Sequence, residues 1–212
     1  MSLRTLLFGT FSFVLLWFVG WMAWSVFAAR SALPQIFEPH RTSGAWAALT
    51  PQQQGMLLSV EDPGFFDHTG LDWSTPGTGK TIPQRLATWM FEGKASPGIS
   101  PLEHALIAVL VITPLTDKTT QLNAYVSTAP LGTRNDAKIT GFAEAAKVYF
   151  RTPVEALSTN QFARILALVE DPDEFEMNSE ANWQRVEWIE ALMAGTCRPL
   201  DGADSRLGGC AQ

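Results

Sequence analysis

The chain has 212 residues, 46% of them hydrophobic, which is enough for one well-buried domain plus an appendage and excludes a wholly disordered protein. A formal charge of −6 and a pI near 5.0 exclude a nucleic-acid binder, which needs a basic face to release counterions from phosphates. An anionic ligand has to be met by a local basic cluster instead.

The first element runs from Thr5 to Ala29, TLLFGTFSFVLLWFVGWMAWSVFAA, without a charge. A helix of about 20 apolar residues already spans a bilayer core. The competing reading is a cleaved signal peptide ending at the small residues Ala28 and Ala29, but the apolar region of such a peptide is only about 7–15 residues long. Length therefore favours a retained anchor over residues 1–30, with Trp24 near its far interface. Arg4 and the amino terminus precede the span and Arg30 follows it, so the positive-inside rule leaves the rest of the chain outside the cytoplasm. Residues 31–49 contain Pro34, Pro39 and Gly44 without a sustained period, as in a connector, and leave residues 50–212 for the domain.

Helix starts then recur. TPQQ at Thr50, SPLE at Ser100 and TPVE at Thr152 each place a hydroxyl cap, a proline at the first helical position, and Glu or Gln three residues past the cap. STNQ at Ser158 repeats the box without proline. Pro63, Pro114 and Pro172 mark stops, and NWQRVEWIEALMAG from Asn182 has helical spacing with Gly195 as C-cap. LIAVLVI at 106–112 is β-branched enough for a strand, but the box at Ser100 favours a buried helix. With no sustained alternation and no Asn-Gly or Asp-Gly turn between strand-like runs, the domain is expected to be all-α.

Two segments invite a chemical reading. STPGTGKT, Ser74–Thr81, looks like a phosphate-cradling loop, yet Ser74 stands where the first glycine belongs, and FFDHTGLDW before it is too polar for a buried parallel strand. Cys197 and Cys210 lie close together; they close a short loop in an oxidising compartment or remain two inert thiols. Neither they nor the scattered His40, His68 and His104 have zinc-ligand spacing, so no metal site is expected.

SVEDPGFFDHTGLD, Ser59–Asp72, resembles the first motif of the family 51 glycosyltransferases, the peptidoglycan-polymerising transglycosylases, E-D-x-x-F-x-x-H-x-G-x-D. Glu61, Asp62, Phe65, His68, Gly70 and Asp72 all match. Thr78–Ala87, TGKTIPQRLA, is similar to the family's G-G-S-T-I-T-Q-Q-L-A, with Lys80 in place of serine, Pro83 of threonine and Arg85 of the second glutamine. The apparent nucleotide loop thus arises from a serine that has become lysine. Weaker similarity continues through DKTTQLNAYVSTAPLG, where Lys118 matches a family lysine, and through GFAEAAKVYFRTPVEALSTNQFARILALVEDP. The family's third motif, R-K-x-x-E, is degenerate: Ile99-Ser100-Pro101-Leu102-Glu103 lacks the Arg and Lys, and Glu103 also sits at the capping-box position.

The resemblance implies a lysozyme-like helical domain behind a single transmembrane helix, held on the outer side of the cytoplasmic (inner) membrane and monofunctional. It implies polymerisation of lipid II into a nascent glycan strand with release of polyprenyl pyrophosphate. A carboxylate must take the acceptor hydroxyl's proton and cations must meet the departing pyrophosphate. By its match Glu61 is the base and Glu103 the second acid. Asp62, Phe65, His68, Lys80, Thr81, Gln84, Arg85 and Lys118 form the substrate-binding set, in which His68 is expected to order its loop and Lys80 and Arg85 to meet phosphate. A divalent cation and contacts with other cell-wall synthesis proteins also follow from the resemblance. Two other readings share the motifs: a non-catalytic relative that binds lipid II as a scaffold, and a hydrolase of finished glycan.

Overall fold

A computed structural model describes residues 3–75, 77, 79–91 and 101–211. The N-terminal apolar run is one helix, α1 (Leu3–Arg41), of 39 residues and about 58 Å. From Gly9 onward it is long and apolar enough to cross a membrane. Two stretches of α1 meet different surroundings. Phe11, Phe13, Leu16 and Trp17 are bare, whereas Met22, Ser25, Ala29, Leu33 and Phe37, spaced by three and four, form a buried stripe along the face that packs on the domain.

The connector expected over 31–49 is therefore helical as far as Arg41, passing through both Pro34 and Pro39. A proline inside a helix costs about 3 kcal/mol, while fully burying Leu33 or Phe37 contributes about 1.5–3 kcal/mol each, so packing against α4 and α6 offsets the breakers.

Capping chemistry sets most of the remaining helices. Thr50 and Gln53 form the box that starts α2 (Pro51–Glu61), and Ser158 and Gln161 the one that starts α8 (Thr159–Leu168). A further box, Thr81 with Gln84, starts the short α3 (Ile82–Leu86), which widens into a π-turn over Ala87–Phe91. TPVE at Thr152 yields only a 3₁₀ turn, Val154–Ala156. α4 (Pro101–Ile107) begins where SPLE predicts; Ser100 itself lies outside the described residues. The 106–112 run is helical, continuing as a π-turn Ala108–Ile112 into α5 (Thr113–Leu115), so Pro114 ends the helix one residue late.

α6 (Lys118–Thr128) crosses the centre of the domain with Tyr125 fully buried. It leads into an antiparallel pair, β1 (Pro130–Arg134) and β2 (Ala137–Thr140), the described strands in an otherwise helical chain. The hairpin turns without an Asn-Gly or Asp-Gly pair: Asn135-Asp136 supplies the two positive φ angles, 52° and 62°, that a tight turn needs. α7 (Phe142–Ala145) widens into a third π-turn, Ala146–Phe150, before α8. α9 (Glu180–Met193) ends with Gly195 in the left-handed region, as its sequence predicts. Beyond it Cys197 and Cys210 are joined in a disulfide, which settles the choice between bridge and free thiols and closes a loop over the domain.

Candidate active site

α2 delivers two adjacent buried carboxylates at its C-terminal end, Glu61 and Asp62. Asp62 is filled with donors. Its oxygens lie 2.9 and 3.0 Å from His68 Nε2, and Oδ2 also accepts the Ile82 N–H at 2.8 Å. The Gly70 N–H donates to His68 Nδ1 at 3.0 Å, which puts the imidazole proton on Nε2, facing Asp62. Thr81 Oγ1 donates to the Gly70 carbonyl at 2.6 Å. Lys118 donates to the carbonyls of Phe65 (2.5 Å) and His68 (3.1 Å) and sits 4.3 Å from the centre of the Phe65 ring. Gly70, at φ 112°, packs against the backbone of Ala108 where a Cβ would crowd it. The 62–72 loop is thereby fixed to α3, the π-turn after α4, and α6.

Glu61 is equally buried but only half satisfied. Oε2 accepts the Tyr125 hydroxyl at 2.6 Å and lies 3.3 Å from Arg85 Nε; Oε1 has no hydrogen-bond partner among the described residues. The Arg85 guanidinium directs its strong contact elsewhere, Nη2 standing 2.6 Å from Glu170 Oε2. Ser205 donates to Glu170 Oε1 at 2.8 Å, and Arg185 Nη2 donates to the Ser205 carbonyl at 2.9 Å. Two carboxylates and two guanidiniums thus form a buried, charge-balanced chain. Burial pushes Glu61 above the usual carboxylate range, against the pull of Arg85, the Tyr125 hydrogen bond and Arg185. Burial also acts upward on Glu170, but Arg85, the Ser205 hydrogen bond and Arg185 together outweigh it and hold that carboxyl low. A raised carboxylate with one free oxygen is suited to receive a proton; a lowered one with both oxygens occupied is suited to hold a cation.

Arg85 and Glu170 line a cleft of about 180 Å³ together with Lys80, Thr88, Trp89 and Pro130. Lys80 is exposed at its rim. Trp89, on the π-turn after α3, lies 5.0 Å from the Tyr125 ring and so backs the hydroxyl that contacts Glu61. The transglycosylase family model matches residues 31–194 of this chain. The chain belongs to that family.

Similarity extends to individual transglycosylases. A biosynthetic peptidoglycan transglycosylase of Chromobacterium violaceum is 29% identical over 147 residues, 63% of this chain and 62% of that protein. One from Laribacter hongkongensis is 28% identical over 60% of each chain, and penicillin-binding protein 1B of Haemophilus influenzae is 26% identical over 55% of this chain and 16% of its own length. The matched part spans about three-fifths of the first two relatives.

Within this chain the residues singled out from sequence divide into three groups. Lys80 and Arg85 line the cleft, and Glu61 lies buried beside Arg85. Asp62, Phe65, His68, Thr81 and Lys118 instead hold the 62–72 loop; Asp62, Phe65 and Thr81 are buried, and Gln84 is engaged in the Thr81 box. Arg85 departs from expectation: it is 7% exposed and paired to two carboxylates, so it is no free cation for a phosphate. Glu103 stands apart. It is buried on α4, neither oxygen has a hydrogen bond, and no ion pair or hydrogen bond among the described residues joins it to Glu61.

Tyr125, Glu170, Arg185 and Ser205 went unremarked in the sequence. Tyr125 and Glu170 were findable, since both fall in the segments of weaker similarity; Arg185 and Ser205 carry no local signal. The divalent cation implied by the family resemblance does not fit this donor set, because no three His, Cys, Asp or Glu side chains cluster among the described residues and Asp62 and Glu170 are already engaged.

Proposed function

We propose that this transglycosylase is a membrane-anchored peptidoglycan glycosyltransferase, with residues 1–30 as anchor and 50–212 as a domain outside the cytoplasmic membrane, polymerising lipid II into a nascent glycan strand. The observation that carries the reading is Glu61, buried in the matched motif with Oε1 unfilled. In the reaction an acceptor sugar hydroxyl attacks the anomeric carbon of the donor. The new C–O bond forms with inversion as the bond to the polyprenyl pyrophosphate breaks, the hydroxyl proton passes to Glu61 Oε1, and the pyrophosphate leaves with the electron pair. Lys80, exposed at the cleft rim, is the cation placed to meet that charge, and its contribution should weaken with salt. The names of the relatives support the substrate class.

The test is incubation of the full chain in detergent with lipid II, followed by separation of polymer from substrate. The parent should make polymer, and Glu61→Gln should fall by about 10²–10⁴-fold while keeping its fold. A parent that binds lipid II yet makes no polymer would replace this reading with that of a binding protein.

A further inference from the structure

The loop closed by Cys197 and Cys210 lies beyond the matched residues 31–194, yet it reaches the catalytic side of the domain. Gly77 and Gly79 donate to the carbonyls of Asp201 (2.7 Å) and Gly202 (2.8 Å). Gly79 has φ 56°, and a Cβ there would collide with Ser205, which explains a glycine at this point of the loop before α3. Asp204 fastens the loop internally by accepting the N–H groups of Leu200, Gly208 and Gly209. Ser205 is thus set against Glu170 from one side and Arg185 from the other.

The consequence reaches Glu61 through Arg85. Arg85 lines the cleft, Glu61 does not, and the guanidinium stands beside both Glu61 and Glu170. Its short contact is to Glu170; towards Glu61 its Nε is 3.3 Å away and makes no hydrogen bond. We propose that Glu170 and Ser205 are positioning residues: anchored by the disulfide-closed loop, they hold Arg85 towards Glu170 and so keep Glu61 Oε1 free for the acceptor hydroxyl. The inference rests on Glu61 acting as base. Removing Glu170 would leave Arg85 to close on Glu61 and complete its ion pair, filling the acceptor that the reaction needs. The charged and titratable groups facing Glu61 are Arg85 from α3, Tyr125 from α6, Arg185 from α9 and Glu170 after α8. Loss of Glu170 removes a like charge and strengthens the Arg85 pair, and both changes favour the carboxylate.

Titration of ¹³C-labelled glutamate in the full detergent-solubilised chain, with Glu61 assigned through Glu61→Gln, reads this directly, and the pH profile of lipid II polymerisation reads it in catalysis. In Glu170→Gln, Glu61 should bind its proton about tenfold more weakly, the acid limb of the profile should move to lower pH, and kcat should fall about tenfold with KM unchanged. Glu170→Asp should restore much of both. Ser205→Ala and Cys197→Ser/Cys210→Ser should move the titration the same way by less. An unchanged Glu61 titration in a folded Glu170→Gln, or an Asp variant that behaves like Gln, overturns the proposal. Should Glu170→Gln unfold, the Ser205→Ala titration decides in its place. A parent that makes no polymer defeats the functional reading alone, because the NMR titration still decides whether Glu170 and Ser205 set the state of Glu61.

Discussion

Glu61 and Asp62 are neighbours in the chain, alike in charge and almost equally buried, yet they belong to regions built on opposite terms. On the loop side, Asp62, His68, Gly70, Thr81 and Lys118 join donors to acceptors into one framework. On the cleft side the bonding is incomplete: Glu61 Oε1, Arg85 Nε and two nitrogens of Arg185 are buried without hydrogen bonds among the described residues. Buried polar groups are ordinarily satisfied, since each unmade bond costs about 1–3 kcal/mol. On the proposed function, the contrast separates residues that hold the site from the residue proposed to react, a division the shared motif does not make.

The largest effect should come from breaking the satisfied side. Asp62→Ala removes the acceptor of the His68 ring and of the Ile82 N–H together, and should destabilise the domain by about 3–5 kcal/mol, as when one partner of a buried, hydrogen-bonded group is lost. Chemical denaturation would measure it. Glu61→Gln, one residue away, should leave stability nearly unchanged while lowering polymerisation by about 10²–10⁴-fold. If both variants lose stability alike, the distinction between the two regions fails.

A smaller loss is expected from Lys118→Met. This keeps the packing over the Phe65 ring but leaves the Phe65 and His68 carbonyls without their donor, for about 1–3 kcal/mol. Polymerisation by the surviving folded fraction should remain near the parent's. A large fall in activity at full stability would instead put Lys118 in contact with substrate.

How much of this was legible beforehand follows the range of the interactions. Caps and stops act over three or four residues, so Thr50, Ser158 and Gly195 announced their helices correctly. At Pro34 and Pro39 the same local rule failed, because burial of Leu33 and Phe37 against distant helices outweighs it. In the site, motif spacing identified Glu61 and its loop. It could not identify the partners of Arg85, since Glu170 lies 85 residues away and Ser205 reaches the site only through the disulfide-closed loop. Ser74–Thr81 was rightly set aside as a nucleotide loop, but what its glycines do was not legible: Gly77 and Gly79 accommodate the C-terminal loop, and among the described residues no strand precedes them.

Acid should act oppositely on Glu61 and on the carboxylates held low. At Asp72 burial works upward, but hydrogen bonds from Thr75 and Ser74 outweigh it; Asp204 and Glu170 are likewise held below the usual range despite burial. Depressed groups contribute stability above their unfolded values near pH 4, and this is lost as pH falls through the folded values. Glu61 has the reverse sign: its contribution is complete below its unfolded value and is lost as pH rises through the raised folded one. The melting temperature should therefore fall from about pH 5 towards pH 3. In Glu61→Gln the loss of stability above pH 5 should be smaller than in the parent; a steeper loss there would contradict the assignment of Glu61 as the raised group.

The smallest effect should be at Glu103, and its size decides whether α4 belongs to the reactive side. Both carboxylate oxygens are buried without hydrogen bonds, as Glu61 Oε1 is, but no cation or hydroxyl among the described residues contacts them, and Arg85, Glu170 and Tyr125 all bond elsewhere. A carboxylate so placed has nothing to lose when its charge is removed, and an amide of the same size fills the same space. Glu103→Gln should change stability by less than about 1 kcal/mol, with any shift towards greater stability, and should leave polymerisation within about twofold of the parent. Thermal melts and the lipid II assay on the same preparation check both. A fall in polymerisation as deep as that of Glu61→Gln, with the melt unmoved, would make Glu103 the second acid of the reaction and extend the unsatisfied region from α2 and α3 onto α4.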